Sequence, residues 1–247
     1  MRTLNLENVH PDAAERVRPF LEEIAAEGGD LMKAMYVTGS AVTPDFNDRT
    51  SDVNTFLVLD EIPLRFLGFL APLGRKYGKR RVGAPLLMTT RNIERSLDAF
   101  PVEFLDLKLV NHLVVGEDVL KDVQVSGNEM RLQCERELKG RILRSRQDYI
   151  RSLGDPRLFR EALIASLAGL IPLLRGTLFA LGKETPRDRA GIMAGLREAT
   201  GCETDGFEAV IRLKADQGKP SIDELTRLFA QYHGAIQKLA DVIDATT

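Results

Sequence analysis

The chain has no tryptophan, four tyrosines, three histidines and only two cysteines among its 247 residues. Each scarcity excludes something. With so few large aromatic rings there is little surface on which nucleic-acid bases could stack. A formal net charge of −2 removes the global positive field that would draw in a polyanion. Nucleic acid is therefore not an expected partner. Cys134 and Cys202 cannot build a disulfide framework or a zinc site by themselves, and each falls in a helical pattern as a small hydrophobe. His10, His112 and His233 lie far apart and make no metal-ligand spacing. The longest weakly charged stretch, residues 162–182, carries Arg175 and is interrupted by Gly169, Pro172 and Gly176. It reads as the central helix of a bundle rather than a membrane span, because a charge in the hydrocarbon core is costly. The N-terminus is acidic and amphipathic, unlike a signal peptide. A cytoplasmic protein without a membrane partner is the expectation.

What is present falls into two halves. Residues 11–27 place Val17, Phe20, Leu21 and Ile24 on one helical face, and Gly28-Gly29 stops the helix. Residues 31–38 and 52–59 read as strands separated by a polar loop, and residues 63–78 as a helix with a basic exit, Arg75 to Arg81. Residues 84–90 form a third expected strand, 91–98 a short helix, 101–109 a fourth strand and 112–115 a fifth. From about residue 128 the period becomes helical throughout. Helices are expected over 129–153, with Leu132, Leu138, Ile142, Tyr149 and Leu153 inward, and over 156–183. A third starts at a Thr185 cap, a fourth at Asp205, and the last runs over 221–245 behind a Ser221–Glu224 capping box. The fold class is accordingly α+β: a small mixed-sheet domain over 1–125, then an all-α bundle of about five helices over 126–247. The apolar bundle offers a face for a homo-oligomer.

The chemistry gathers at residues 36–60. An apolar run ends in Gly39-Ser40, and a second begins at Asp52-Val53-Asn54. Residues i and i+2 of a strand point to the same side, so positions 52 and 54 project together. Gly39 allows close backbone approach to a phosphate, and Ser40 adds a hydroxyl. Carboxylates at 52 and 54 would hold Mg²⁺ against a triphosphate, since Mg²⁺ takes oxygen ligands, commonly one or two carboxylates plus phosphate.

The pattern Thr38-Gly39-Ser40 … Asp52-Val53-Asn54 resembles the nucleotidyltransferase superfamily that includes DNA polymerase β and the aminoglycoside nucleotidyltransferases. The resemblance covers roughly residues 30–116 and implies a nucleoside triphosphate, probed first as ATP, with Mg²⁺ as cofactor. Gly39 and Ser40 would bind nucleotide, and Asp52 and Asn54 would take the metal. Asp52 and Glu103 would be catalytic, with Glu103 as metal ligand or general base; the acceptor is not named by the sequence. Two departures stand out. Asn54 replaces the second acid, and the strand at 84–90 carries Leu86 or Leu87 where the third acid is due. Glu103 is the substitute on the next strand, and Asp45 and Asp48 are loop carboxylates that could compensate. Two functions follow: metal-dependent nucleotidyl transfer weakened by the lost acids, or an inactive binding, regulatory or antitoxin-like module acting through its helical half. The basic runs at 75–81 and along 131–151 read first as solvated or salt-bridged faces, with an anion-neutralising role as the alternative.

Overall fold

The computed structural model describes residues 3–216 and 218–246. Contacts divide the chain into two compact units. The first runs to Asp98 and resumes over Phe104–Gln124; the second comprises Ala99–Glu103 and the chain from Val125 onward.

In the first unit, strands β1 (Met32–Thr38), β2 (Asn54–Leu59), β3 (Leu86–Thr89) and β4 (Asn111–Gly116) form one mixed sheet in the order β3-β2-β1-β4. β1 pairs antiparallel with β2 and β4, whereas β2 and β3 run parallel. Both faces of β1 and β2 are buried, which is why these strands read as apolar runs without alternation. On one face Met35, Val37, Leu57 and Leu59 join a core with Phe20 and Ile24 of helix α1 (Pro11–Gly28) and Phe66 and Leu70 of helix α2 (Leu64–Gly78). The two helices are also tied at their edges. Lys76 Nζ lies 2.6 Å from Glu23 Oε1, and the Tyr77 hydroxyl donates to the same oxygen. These bonds lower the Glu23 pKa, the one from Lys76 most. On the opposite face Tyr36 stacks on Phe56. Its hydroxyl accepts from the Val119 N–H at 2.8 Å and lies 3.2 Å from Asp118 Oδ1, so a buried phenol is satisfied at the far edge of the sheet. Helix α3 is short (Thr90–Glu94) and starts at a Thr89 capping box.

Residues 101–109, expected as a strand, are helix α4 (Pro101–Leu109). The sheet therefore has four strands among the described residues, not five. The buried set Pro101, Val102, Phe104 and Leu105 has helical rather than alternating spacing. Pro101 opens the first turn, where its missing N–H costs nothing, and Glu103 suits the positive helix start.

The second unit holds α5 (Gly127–Arg151), α6 (Pro156–Ala165), α7 (Leu170–Ala180), α8 (Arg189–Thr200), α9 (Asp205–Ala215) and α10 (Ile222–Asp244). The bundle thus has six helices among the described residues, because the segment expected as one helix over 156–183 breaks into α6 and α7, bent by 48°. Arg141 of α5 stabilises the break: its guanidinium donates to the Ser166 and Ala168 carbonyls, which have left the helical ladder. Arg175, on α7, is buried and donates to the Pro186 and Arg187 carbonyls. Among the described residues no single helix is long and apolar enough to cross a membrane. Asp188, not Thr185, caps α8, accepting from the Gly191 N–H. The Ser221–Glu224 capping box starts α10 as expected. Along α5 the buried apolar residues are Met130, Cys134, Leu138 and Ile142, spaced by four. Leu132 and Tyr149 fall off that stripe and are exposed; Leu153 lies beyond the helix end, also exposed. Both cysteines are buried free thiols, and burial pushes Cys134 up to about 12 and Cys202 up to about 11, so they are inert hydrophobes.

Candidate nucleotide site

The pairing of β1 with β2 sets the local geometry. Thr38 stands opposite Asn54, so the Gly39-Ser40 exit of one strand is adjacent to the entry of the other. Gly39 has φ +72, a left-handed conformation that a side chain would oppose, and it begins a short 3-10 turn over Gly39–Val42. Its N–H donates to the Val110 carbonyl at 3.1 Å, and the Ser40 carbonyl accepts from the Thr43 N–H at 3.0 Å. A Cβ on Gly39 would sit 3.5 Å from Asn54 Nδ2, which measures how close the turn and the amide lie.

Asp52 and Asn54 are both exposed, while Val53 between them is fully buried. That is the alternation expected of neighbouring strand positions, and it leaves both polar groups at the surface. Val53 is clamped by the α2 exit: its N–H donates to the Arg81 carbonyl at 2.8 Å, and its carbonyl accepts from Gly83 at 3.0 Å. The same clamp brings the Arg81 guanidinium to 3.7 Å from Asp52 Oδ1. Asn54 Oδ1 stands over Gly83, 3.1 Å from where a Cβ would be.

The register decides which leucine occupies the third corner. Leu86 is opposite Phe56 and so shares the face of Asn54; Leu87 is opposite Leu57 and joins the helix-covered core. Glu103 is not on a neighbouring strand. It lies on α4 in the helical unit, where Gln133 Nε2 donates to its Oε2 at 2.8 Å and Gln133 Oε1 accepts from the Val102 N–H at 2.9 Å. Asp48 belongs to the lining of a basic cavity. Among the described residues no three His, Cys, Asp or Glu side chains are grouped to hold a metal ion. The donor set at the turn is one carboxylate, already beside a guanidinium, and one amide. It is short of the paired carboxylates that the sequence resemblance implies, and fits only a Mg²⁺ ion whose remaining oxygen ligands come from phosphate and water.

A feature that sequence reasoning passed over lies in the helical unit. Glu137, Arg141, Arg144 and Asp148 recur at i, i+4, i+7 and i+11 on α5 and line a cavity of about 370 Å³ with Glu103 and Tyr232. That spacing, read as a salt-bridged surface, was the available signal for it.

A four-stranded mixed sheet with the Gly-Ser turn beside the β2 entry, and a helical unit after it in sequence, make an α+β protein. No protein-family model matches the chain, and no curated protein does. Among solved structures the chain is similar to the spectinomycin adenyltransferase AAD(9) from Enterococcus faecialis, determined with ATP and spectinomycin. The TM-score is 0.56 with 12% sequence identity, over 93% of this chain and 98% of that one. At that identity what is shared is the fold.

Proposed function

We propose that the chain is a nucleotidyltransferase-fold protein that binds a nucleoside triphosphate, ATP in the first instance, at the Gly39–Ser40 turn, and that its nucleotidyl transfer is weakened by the reduced acid set. The Thr38–Asn54 pairing carries the reading, because it holds the turn beside the exposed entry of β2. Gly39 would let the backbone approach the phosphates, and the Ser40 hydroxyl would donate to them. Asp52 would be the one carboxylate left to meet a metal arriving with the nucleotide, and Asn54 would present a neutral oxygen. Glu103, held by Gln133 in the helical unit, is given no catalytic step in this reading.

A second reading, binding without transfer, is favoured by Leu86 at the third corner. It assigns the output to the helical half, as a regulatory module. One pair of measurements separates the two. Calorimetric titration of wild type and Asp52→Ala with ATP and Mg²⁺ is expected to show Mg²⁺-dependent binding that the substitution weakens about tenfold or more. Pyrophosphate release from ATP above the buffer rate, with water or an added hydroxyl compound such as spectinomycin taking the nucleotidyl group, selects transfer; binding with no release in the presence of either acceptor selects the silent module. Absence of any ATP binding by wild type rejects both.

A further inference from the structure

The basic exit of α2 is not absorbed by the nucleotide reading. Lys79, Arg80 and Arg81 meet Arg16 of α1 around a cavity of about 400 Å³, with Glu15 and Asp48 completing its lining. The lining is therefore net positive by two charges, in a chain whose net charge is −2. A helix end bristling with solvated cations would be unremarkable alone. Here a cation of helix α1 and three that follow the end of α2 converge on one concavity, and two of them are held in advance.

Arg16 donates to the Asp48 carbonyl at 2.8 Å, and its guanidinium stands 5.7 Å from the centre of the Phe46 ring. Arg81 has φ 57, a left-handed conformation that a residue with a Cβ adopts only when its surroundings impose it. The imposing contacts are its N–H to the Gly78 carbonyl at 2.9 Å and its carbonyl to the Val53 N–H at 2.8 Å. The strained residue thus connects the cavity to the β2 entry. Lys79 and Arg80 have no ion-pair partner among the described residues. No aromatic ring lines the cavity, so a nucleic-acid base would find nothing to stack on. A dianion matches the surplus of two charges, and the volume, which is of the size of small-ligand sites, leaves room for an organic group attached to it.

We propose that this cavity binds a phosphate dianion, free or as the phosphate monoester of a small molecule, at a site separate from the Gly39–Ser40 turn. Arg81 lies 3.7 Å from Asp52, so the anion and that carboxylate compete for one guanidinium.

The test is a titration of the full chain with inorganic phosphate at constant ionic strength, followed by backbone amide NMR. A sugar phosphate serves as second probe and a single-stranded RNA as third. Saturable shifts centred on residues 16, 48 and 79–81 are expected with phosphate and not with chloride. A sugar phosphate that binds more tightly than phosphate identifies the monoester as the ligand; equal or weaker binding identifies the free ion. Lys79→Ala combined with Arg80→Ala should weaken binding about 25-fold, taking roughly fivefold for each exposed charge removed. Arg80→Lys should retain most of the affinity, and Asp52→Asn should tighten binding about fivefold by removing the competitor. Absence of saturable shifts, or shifts that the double variant leaves unchanged, overturns the proposal. So does RNA binding whose salt dependence exceeds that of a dianion, which would make the patch a nucleic-acid surface. ATP titration of the double variant keeps the two sites apart: unchanged ATP affinity supports separate sites, and parallel loss of ATP and phosphate binding overturns their separateness. Phosphate binding by a wild type that binds no ATP leaves this site standing and rejects only the nucleotide reading.

Discussion

Asn54→Asp restores the acid that the nucleotidyltransferase pattern has at this position, and its consequence can be worked from the geometry. Asn54 is exposed at the entry of β2, and the change is nearly isosteric, so stability should stay within about 0.5 kcal/mol of wild type. The new carboxylate joins Asp52, whose side chain is 56% exposed, so a water-like dielectric applies. Two unit charges about 4 Å apart gain roughly 1 kcal/mol in water, and a divalent ion doubles that to roughly 2 kcal/mol. Mg²⁺-dependent ATP binding should therefore tighten about 30-fold. Without metal the sign reverses, because an added carboxylate repels the triphosphate. Calorimetric titration with ATP in Mg²⁺ and in EDTA, for both proteins, reads the two effects as a ratio. A variant whose Mg²⁺-to-EDTA ratio equals that of wild type, with the fold intact by thermal melting, refutes the placement of nucleotide and metal at this turn.

Other outcomes test the packing and the titration of the helical unit. Gly206→Ala should destabilise by about 1–2 kcal/mol net: a Cβ there would lie 2.6 Å from the Tyr232 nitrogen and the Gln231 carbonyl carbon, so α9 and α10 must part, and that overpacking outweighs about 1 kcal/mol of helix propensity. Gly234→Ala, where a Cβ meets nothing within 4 Å, should stabilise by up to about 1 kcal/mol; denaturant midpoints that move the same way in both variants would contradict this. His233 stacks on Phe229, lies 3.0 Å from Ser145 Oγ through Nδ1, and has Arg146 beside it. Burial first, then Arg146, lowers its pKa, so its contribution to stability is complete above the unfolded value near 6.5 and is lost as pH falls through the lower folded value. His233→Gln should flatten that part of the stability-against-pH profile; an unchanged slope would show that another group sets it.

Much of the architecture was written locally in the sequence. Amphipathic spacing located α1 and α2, a true capping box located α10, and apolar runs ending in Gly39-Ser40 and beginning after Asp52 located the two central strands. These signals rest on interactions within a few residues, so they survive without knowledge of the rest of the chain. The failures have the opposite character. Residues 101–109 carry apolar positions that satisfy either period, and burial chose the helix. The break between α6 and α7 depends on Arg141, which reaches carbonyls more than twenty residues away in sequence. Leu132 is apolar and fits an inward position by composition, although the stripe that packs is one set of i+4 positions beside it.

The same division runs through the candidate site. The sequence by itself determined the turn, the single acid and the amide that stands where a second acid would be, since Gly39, Ser40, Asp52 and Asn54 are defined by identity and spacing. Tertiary structure alone decided the rest. Strand register put Leu86, rather than Leu87, on the face of Asn54. A helical α4 placed Glu103 with Gln133 in the helical unit. The α2 exit, folded back onto Val53, set Arg81 beside Asp52 and gathered four cations around one cavity. Spacing can say which residues share a strand or a helix face. Only the pairing of distant segments determines which charges meet, because that depends on long-range contacts that no local pattern encodes.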